Sequence, residues 1–121
     1  MELERLPQEL SVCKVERLSD IDFDAELLFL GKTDEEVSLV CATESVPDGT
    51  TAREDGWRAF RIKGVLDFSL TGILARIAGI LADEGIGIFA VSTYNTDYVL
   101  VKAESFERAA AALAKAGYGV A

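Results

Sequence analysis

The residues best suited to chemistry lie in two short stretches. Ser69, Leu70, Thr71, Gly72 and Ile73 stand where a loop gives way to apolar residues at helical spacing. Ser92, Thr93, Tyr94, Asn95 and Asp97 form a polar turn between two β-prone runs. A loop at a helix start offers unpaired backbone N–H groups and the positive end of the helix dipole. The turn offers hydroxyls, an amide and a carboxylate. Donors for an anion beside acceptors for a cation suit a small zwitterion, such as an amino acid. They do not suit phosphoryl or acyl transfer. The chain has no His, the commonest general base and metal ligand, and the loop has no Arg for an acyl-phosphate site. No catalytic residue, metal or cofactor is expected.

Each residue also has a plainer role. Gly72 would allow a loop to pack closely. Asn95 and Asp97 suit a turn, where such side chains bond nearby amides. Ser92 and Thr93 alternate along a strand, so only one faces a given side. Phe68 and Tyr94 either wall a pocket or belong to a core or interface. The carboxylates in 20–26 and 34–36 lack EF-hand spacing and read as solvated faces.

Several elements must position these residues. Arg58–Lys63 alternates as a half-buried strand. Leu70, Ile73, Leu74, Ile77 and Leu81 form one helical stripe over 72–84, with Ser69 or Thr71 to cap it and Gly85 to end it. Strands follow at 86–94 and 98–103, then an alanine-rich helix over 106–116 between Ser105 and Gly117, and a short strand at 118–120. The order β-α-β-β-α-β is an α+β arrangement, an antiparallel sheet with both helices on one face. Before it, strands are expected at 11–18, 27–30 and 37–42, with a short helix at 20–26 and a linker or long loop at 46–56. Thr33-Asp-Glu-Glu-Val-Ser-Leu-Val40 echoes Thr96-Asp-Tyr-Val-Leu-Val101, a weak internal repeat. Two units are therefore expected, 1–57 and 58–121, the first a degenerate copy of the second.

Composition narrows the function classes. The 121 residues carry a net charge of −9, which opposes attraction to nucleic acid or an anionic membrane. Residues 1–55 hold 15 acidic and 5 basic side chains, and 56–121 hold 6 and 7. No run approaches the ~20 apolar residues of a membrane span. Cys13 and Cys41 lack CxxC spacing and read as reduced core thiols. With a charged N-terminus in place of a signal peptide, the expected location is the cytoplasm.

The stretches Gly64-Val-Leu-Asp-Phe-Ser-Leu-Thr-Gly-Ile-Leu-Ala-Arg-Ile-Ala-Gly79 and Ile86-Gly-Ile-Phe-Ala-Val-Ser-Thr-Tyr-Asn-Thr-Asp-Tyr-Val-Leu-Val101 resemble the ACT domain family. They are most similar to aspartokinase regulatory domains and to stand-alone tandem-ACT proteins, the neighbourhood of the CASTOR-type amino-acid sensors. The resemblance implies two tandem ferredoxin-like units and a non-enzymatic regulatory module. It also implies an amino-acid ligand at an ACT–ACT interface, a homodimer and a regulated protein partner. By position it places the ligand against Phe68, Ser69, Leu70, Thr71, Gly72 and Ile73 on the loop. Facing them would be Phe89, Ala90, Val91, Ser92, Thr93, Tyr94, Asn95 and Asp97. In place of the family's frequent Asp-Arg-Pro-Gly, this chain has Asp67-Phe-Ser-Leu-Thr-Gly72, an aspartokinase-like variant.

Overall fold

The computed structural model describes residues 1–67 and 69–121. In chain order the strands and helices are β1 (Glu2–Arg5), β2 (Leu10–Val15), β3 (Leu28–Lys32), β4 (Val37–Ala42), β5 (Thr50–Ile62), α1 (Ile73–Asp83), β6 (Phe89–Ser92), β7 (Asp97–Lys102), α2 (Phe106–Lys115) and β8 (Gly119–Val120). The chain divides into two units, Gln8–Trp57, and Met1–Pro7 together with Arg58–Ala121. Residues 1–7, expected in the first unit, thus belong to the second.

The reason is β1. In the second unit the strand order is β6-β7-β5-β1-β8. β1 is antiparallel to β5, with Leu3 opposite Ile62, and parallel to β8, with Leu3 opposite Val120. Leu3 is buried, while Glu4 meets Arg61 at 3.0 Å and Glu2 meets Lys63 at 3.6 Å. Opposite charges directly across a strand pair favour this register. With β1 set aside, the order β6-β7-β5-β8 is that of a ferredoxin-like βαββαβ sheet.

Both helices of this unit pack into one core. Ile77 and Leu81 of α1 and Phe106, Ala109 and Leu113 of α2 join Phe60, Ile62, Val99 and Val101 of the sheet. The Phe60 and Phe106 rings stack at 4.6 Å between centroids, and the Arg58 guanidinium lies 4.2 Å from the Phe106 centroid. The helices end alike. Gly85 and Gly117 have φ of +70° and +104°, a region that glycine enters without Cβ strain. Ile86 N–H then bonds the Leu81 carbonyl and Tyr118 N–H the Leu113 carbonyl, closing a Schellman motif at each end. The starts differ from expectation. Neither Ser69 nor Thr71 caps α1, whose cap position is Gly72, and the Ser105 side chain makes no capping bond to α2.

The first unit has the strand order β3-β4-β2-β5 and no α-helix among its described residues. The helix expected at 20–26 is replaced by a single 3₁₀ turn at Leu18–Asp20. Beyond it the Asp22 carboxylate accepts a bond from the Asp24 N–H at 3.1 Å, and such local bonding competes with helix formation. Ile21 is the one residue of 20–26 that is buried. It joins Cys13, Val15, Leu39 and Cys41 in a small core. Both cysteines are free thiols, and desolvation pushes Cys41 up to about 11.

The expected linker at 46–56 is largely strand. From Thr50, β5 pairs antiparallel with β2, slipping by one residue between Val12↔Glu54 and Leu10↔Trp57. Beside this bulge Asp55 accepts the Ser11 hydroxyl at 2.5 Å and an Arg53 N–H at 2.8 Å. Those charged side chains concealed the strand.

The internal echo takes a different register. Residues 37–42 and 97–102 are strands of identical length and burial pattern, each followed by a 3₁₀ turn, at 43–45 and 103–105. Thr33 N–H bonds the Glu36 carbonyl, and Thr93 N–H bonds the Thr96 carbonyl, both at 2.9 Å. Thr33 therefore corresponds to Thr93, not to Thr96.

Candidate functional site

In the second unit the loop after β5, the start of α1 and the β6–β7 turn enclose an open cleft of about 290 Å³. Its described lining is Leu66, Asp67, Leu70, Gly72–Ala75 and Ser92–Asp97. Backbone bonding fixes its walls. Leu66 N–H bonds the Asn95 carbonyl at 2.7 Å, joining loop to turn. The Thr93 hydroxyl bonds the Thr96 carbonyl at 3.0 Å, and the buried Thr96 hydroxyl bonds the Ile62 carbonyl of β5 at 2.7 Å.

One end of the cleft is a donor surface. Gly72 has φ +76°, and the first intrahelical bond runs from Arg76 N–H to the Gly72 carbonyl at 3.0 Å. The N–H groups of Ile73, Leu74 and Ala75 precede that bond, so they have no acceptor within the helix, and no side chain caps them. All three residues line the cleft. The dipole adds partial positive charge there.

The acceptors lie along the loop and turn. Asp67 Oδ1 accepts the Ser69 N–H at 2.8 Å. That bond, with a further one from the Ser69 side chain, holds the Asp67 carboxyl below the usual carboxylate range. Asp97 begins β7 opposite Ser92, half-buried, with no side-chain hydrogen bond or ion pair among the described residues. The turn role that sequence allows for Asp97 is filled instead by Thr93 and Thr96.

Of the residues singled out by sequence, Leu70, Gly72, Ile73, Ser92, Thr93, Tyr94, Asn95 and Asp97 share this cleft. Ser69, Thr71, Phe89, Ala90 and Val91 do not line it, and Phe68 lies outside the described residues. Thr71 lines an adjoining hollow with Met1, Gly72, Ile73, Arg76 and Tyr118. Sequence reading missed Leu66, Asp67, Leu74, Ala75 and Thr96. The Asp67-x-Ser69 spacing of an Asx turn and the Thr93-x-x-Thr96 spacing were the available signals. Among the described residues, no group of three or more Cys, Asp or Glu side chains is placed to hold a metal ion.

Residues 52–115 match the family model of the ACT domain. The chain belongs to the ACT domain family. A structural-genomics target from Agobacterium tumefaciens is similar at 30% identity and a TM-score of 0.85, over 99% of this chain and 91% of that one. A Vibrio cholerae protein of unknown function, described as a possible transport protein, is 21% identical with a TM-score of 0.73, over 94% and 88%. The ligand-free regulatory subunit of aspartate kinase from Thermus thermophilus shares the fold at 12% identity and a TM-score of 0.66, over 97% of both chains. No curated protein sequence matches.

Proposed function

We propose that this ACT-family chain is a non-enzymatic regulatory module that binds an amino acid in the cleft of its second unit. The observation that carries the reading is the meeting, in one cleft, of the uncapped amides of α1 and the Asp97 carboxylate, which has no partner among the described residues. The amides take the ligand carboxylate and Asp97 takes its α-ammonium, a charge-assisted contact. Ser92 adds a hydroxyl, and Leu66, Leu70 and Ile73 supply apolar wall. The first unit acts as a degenerate ACT copy, a reading supported by its strand order and by the 33–45 and 93–105 correspondence. Two chains assemble through ACT–ACT contacts, and ligand shifts that equilibrium by its differential affinity for the assembled form. The regulated protein is a partner enzyme in the cytoplasm, where buried thiols stay reduced.

The test is a thermal-shift screen against the twenty amino acids, followed by calorimetry. Ligand at 100 times its dissociation constant should stabilise the fold by about 2.7 kcal/mol. A screen without any shift at millimolar concentration refutes the reading. A second reading, a ligand-free interaction module, is favoured by the apolar side chains at the cleft mouth. Leu70 is 53% and Tyr94 79% exposed. It predicts association that is indifferent to amino acids.

A further inference from the structure

The first unit has a sheet face whose counterpart in the second unit carries helices. Strand β4 matches β7 in length and burial pattern, so Leu39 and Cys41 correspond to Val99 and Val101. On that side of the second unit α1 and α2 complete the core. On the same side of the first unit, Cys13, Val15, Leu39 and Cys41 are covered from the connections only by Ile21 and the half-buried Val46.

What remains uncovered is apolar. Leu30 lies directly across the β3–β4 pair from Leu39 and so points to this side, where it is 39% exposed. The register gives Ala90, opposite Val99, the matching place in the second unit, so a leucine stands here where an alanine serves there. Leu18 and Phe23, 37% and 59% exposed, flank Ile21 on the segment that crosses the same side. Exposed apolar groups with a polar rim mark a protein contact.

The rim is acidic. Asp22, Asp24 and Glu26 on that segment, and Asp34, Glu35 and Glu36 on the β3–β4 turn, are exposed and make no ion pair among the described residues. With 13 acidic and 4 basic side chains over residues 8–57, this unit repels a second copy of itself and attracts a cationic surface.

We infer that this face docks an amphipathic α-helix of a partner protein, its apolar stripe against Leu18, Phe23 and Leu30 and its basic flanks against the six carboxylates. The helix supplies in trans the layer that α1 and α2 supply in the second unit. A chain that binds no amino acid would dock such a helix equally well.

The experiment uses the full chain and three fluorescein-labelled peptides, each about four helical turns long. One has leucine at helical spacing and lysine elsewhere, one has glutamate in place of lysine, and one has the leucine and lysine order scrambled. Fluorescence anisotropy should show the first binding at least tenfold more tightly than either other, and weakening with added salt. NMR shifts on binding should centre on residues 18–36. Phe23→Ser with Leu30→Thr should cut the affinity at least tenfold; both positions are exposed, and the same spectra check that the fold persists. Asp24→Asn with Glu26→Gln should weaken binding several-fold and flatten its salt dependence. Binding of the scrambled or glutamate peptide as tight as the first, shifts centred elsewhere, or an affinity unmoved by Phe23→Ser with Leu30→Thr overturns the inference. Absence of binding by all three peptides overturns it as well. Self-association of the chain that disappears in Phe23→Ser also overturns it, by placing a second copy on the face.

Discussion

The two units of this chain share a strand order and differ in what the connections between strands became. In Arg58–Ala121 the connections after the first and third strands are α1 and α2, each carrying an apolar stripe and a Schellman stop. In Gln8–Trp57 the corresponding connections contain only short 3₁₀ turns, at Leu18–Asp20 and Thr43–Ser45. The sheet scheme survives either way, because backbone pairing and alternate burial specify it. The cleft does not. It needs a helix start whose amides are uncapped, and the first unit has none. The charge differs as well. Residues 8–57 hold 13 acidic and 4 basic side chains, a balance of −9, while 1–7 with 58–121 hold 8 of each and balance to zero. The whole net charge of the chain therefore sits on the unit without helices.

The hardest blow to this contrast is Phe106→Ala. It removes a fully packed ring that stacks on Phe60 and should cost about 3–5 kcal/mol. Chemical denaturation should show the loss in the helix-bearing unit. Thr96→Val comes next. It leaves the buried Ile62 carbonyl without its hydroxyl partner, at about 1–3 kcal/mol. The counterpart residue Glu36 is exposed, so Glu36→Val should change stability by less than ~0.5 kcal/mol. If the two substitutions cost the same, the turns are not doing different work.

Gly117→Ala forces a Cβ into left-handed backbone and should cost about 1–2 kcal/mol. Gly72→Val should carry a similar folding cost and also abolish amino-acid binding, measured by calorimetry on folded protein. On the same instrument wild type should bind one ligand per chain. Two would show that the first unit holds a site without a helix.

The smallest effect is electrostatic. Asp67 has a folded pKa below its unfolded one. Its contribution to stability is therefore complete above the ordinary carboxylate range and disappears as pH falls through the depressed folded value. A carboxyl titration followed by NMR should show Asp67 below the usual Asp range and rising toward it in Ser69→Ala.

Much of the second unit was legible because its signals are periodic. The Ile73–Leu81 stripe, the glycines at 85 and 117 and the polar turn at 93–96 each announce one element. The first unit was harder to read for identifiable reasons. Its final strand carries Arg53, Glu54 and Asp55 on an exposed surface, so alternation is masked by charge and by a bulge. Its acidic segment at 20–26 has a helix-compatible composition, but the Asp22 carboxylate bonds the Asp24 N–H in a local turn instead. Residues 1–7, expected in the first unit, show no strand in their sequence because the cross-strand partners of Glu2 and Glu4 lie near position 60. Eight of the thirteen described lining residues of the proposed site were singled out from the sequence. The other five, Leu66, Asp67, Leu74, Ala75 and Thr96, follow from how the loop folds back on the turn, which spacing alone does not encode.

The placement of β1 between β5 and β8 has a consequence in time. On the ribosome this strand emerges well before its two neighbours, which are made near positions 60 and 120. At about 5–20 residues per second, roughly ten seconds separate Leu3 from Val120. For the first half of that interval neither edge of β1 has its native partner, and until β8 is made one edge still lacks it. The second unit therefore closes only once β8 has been made, with its earliest strand inserted between two strands that are made after it.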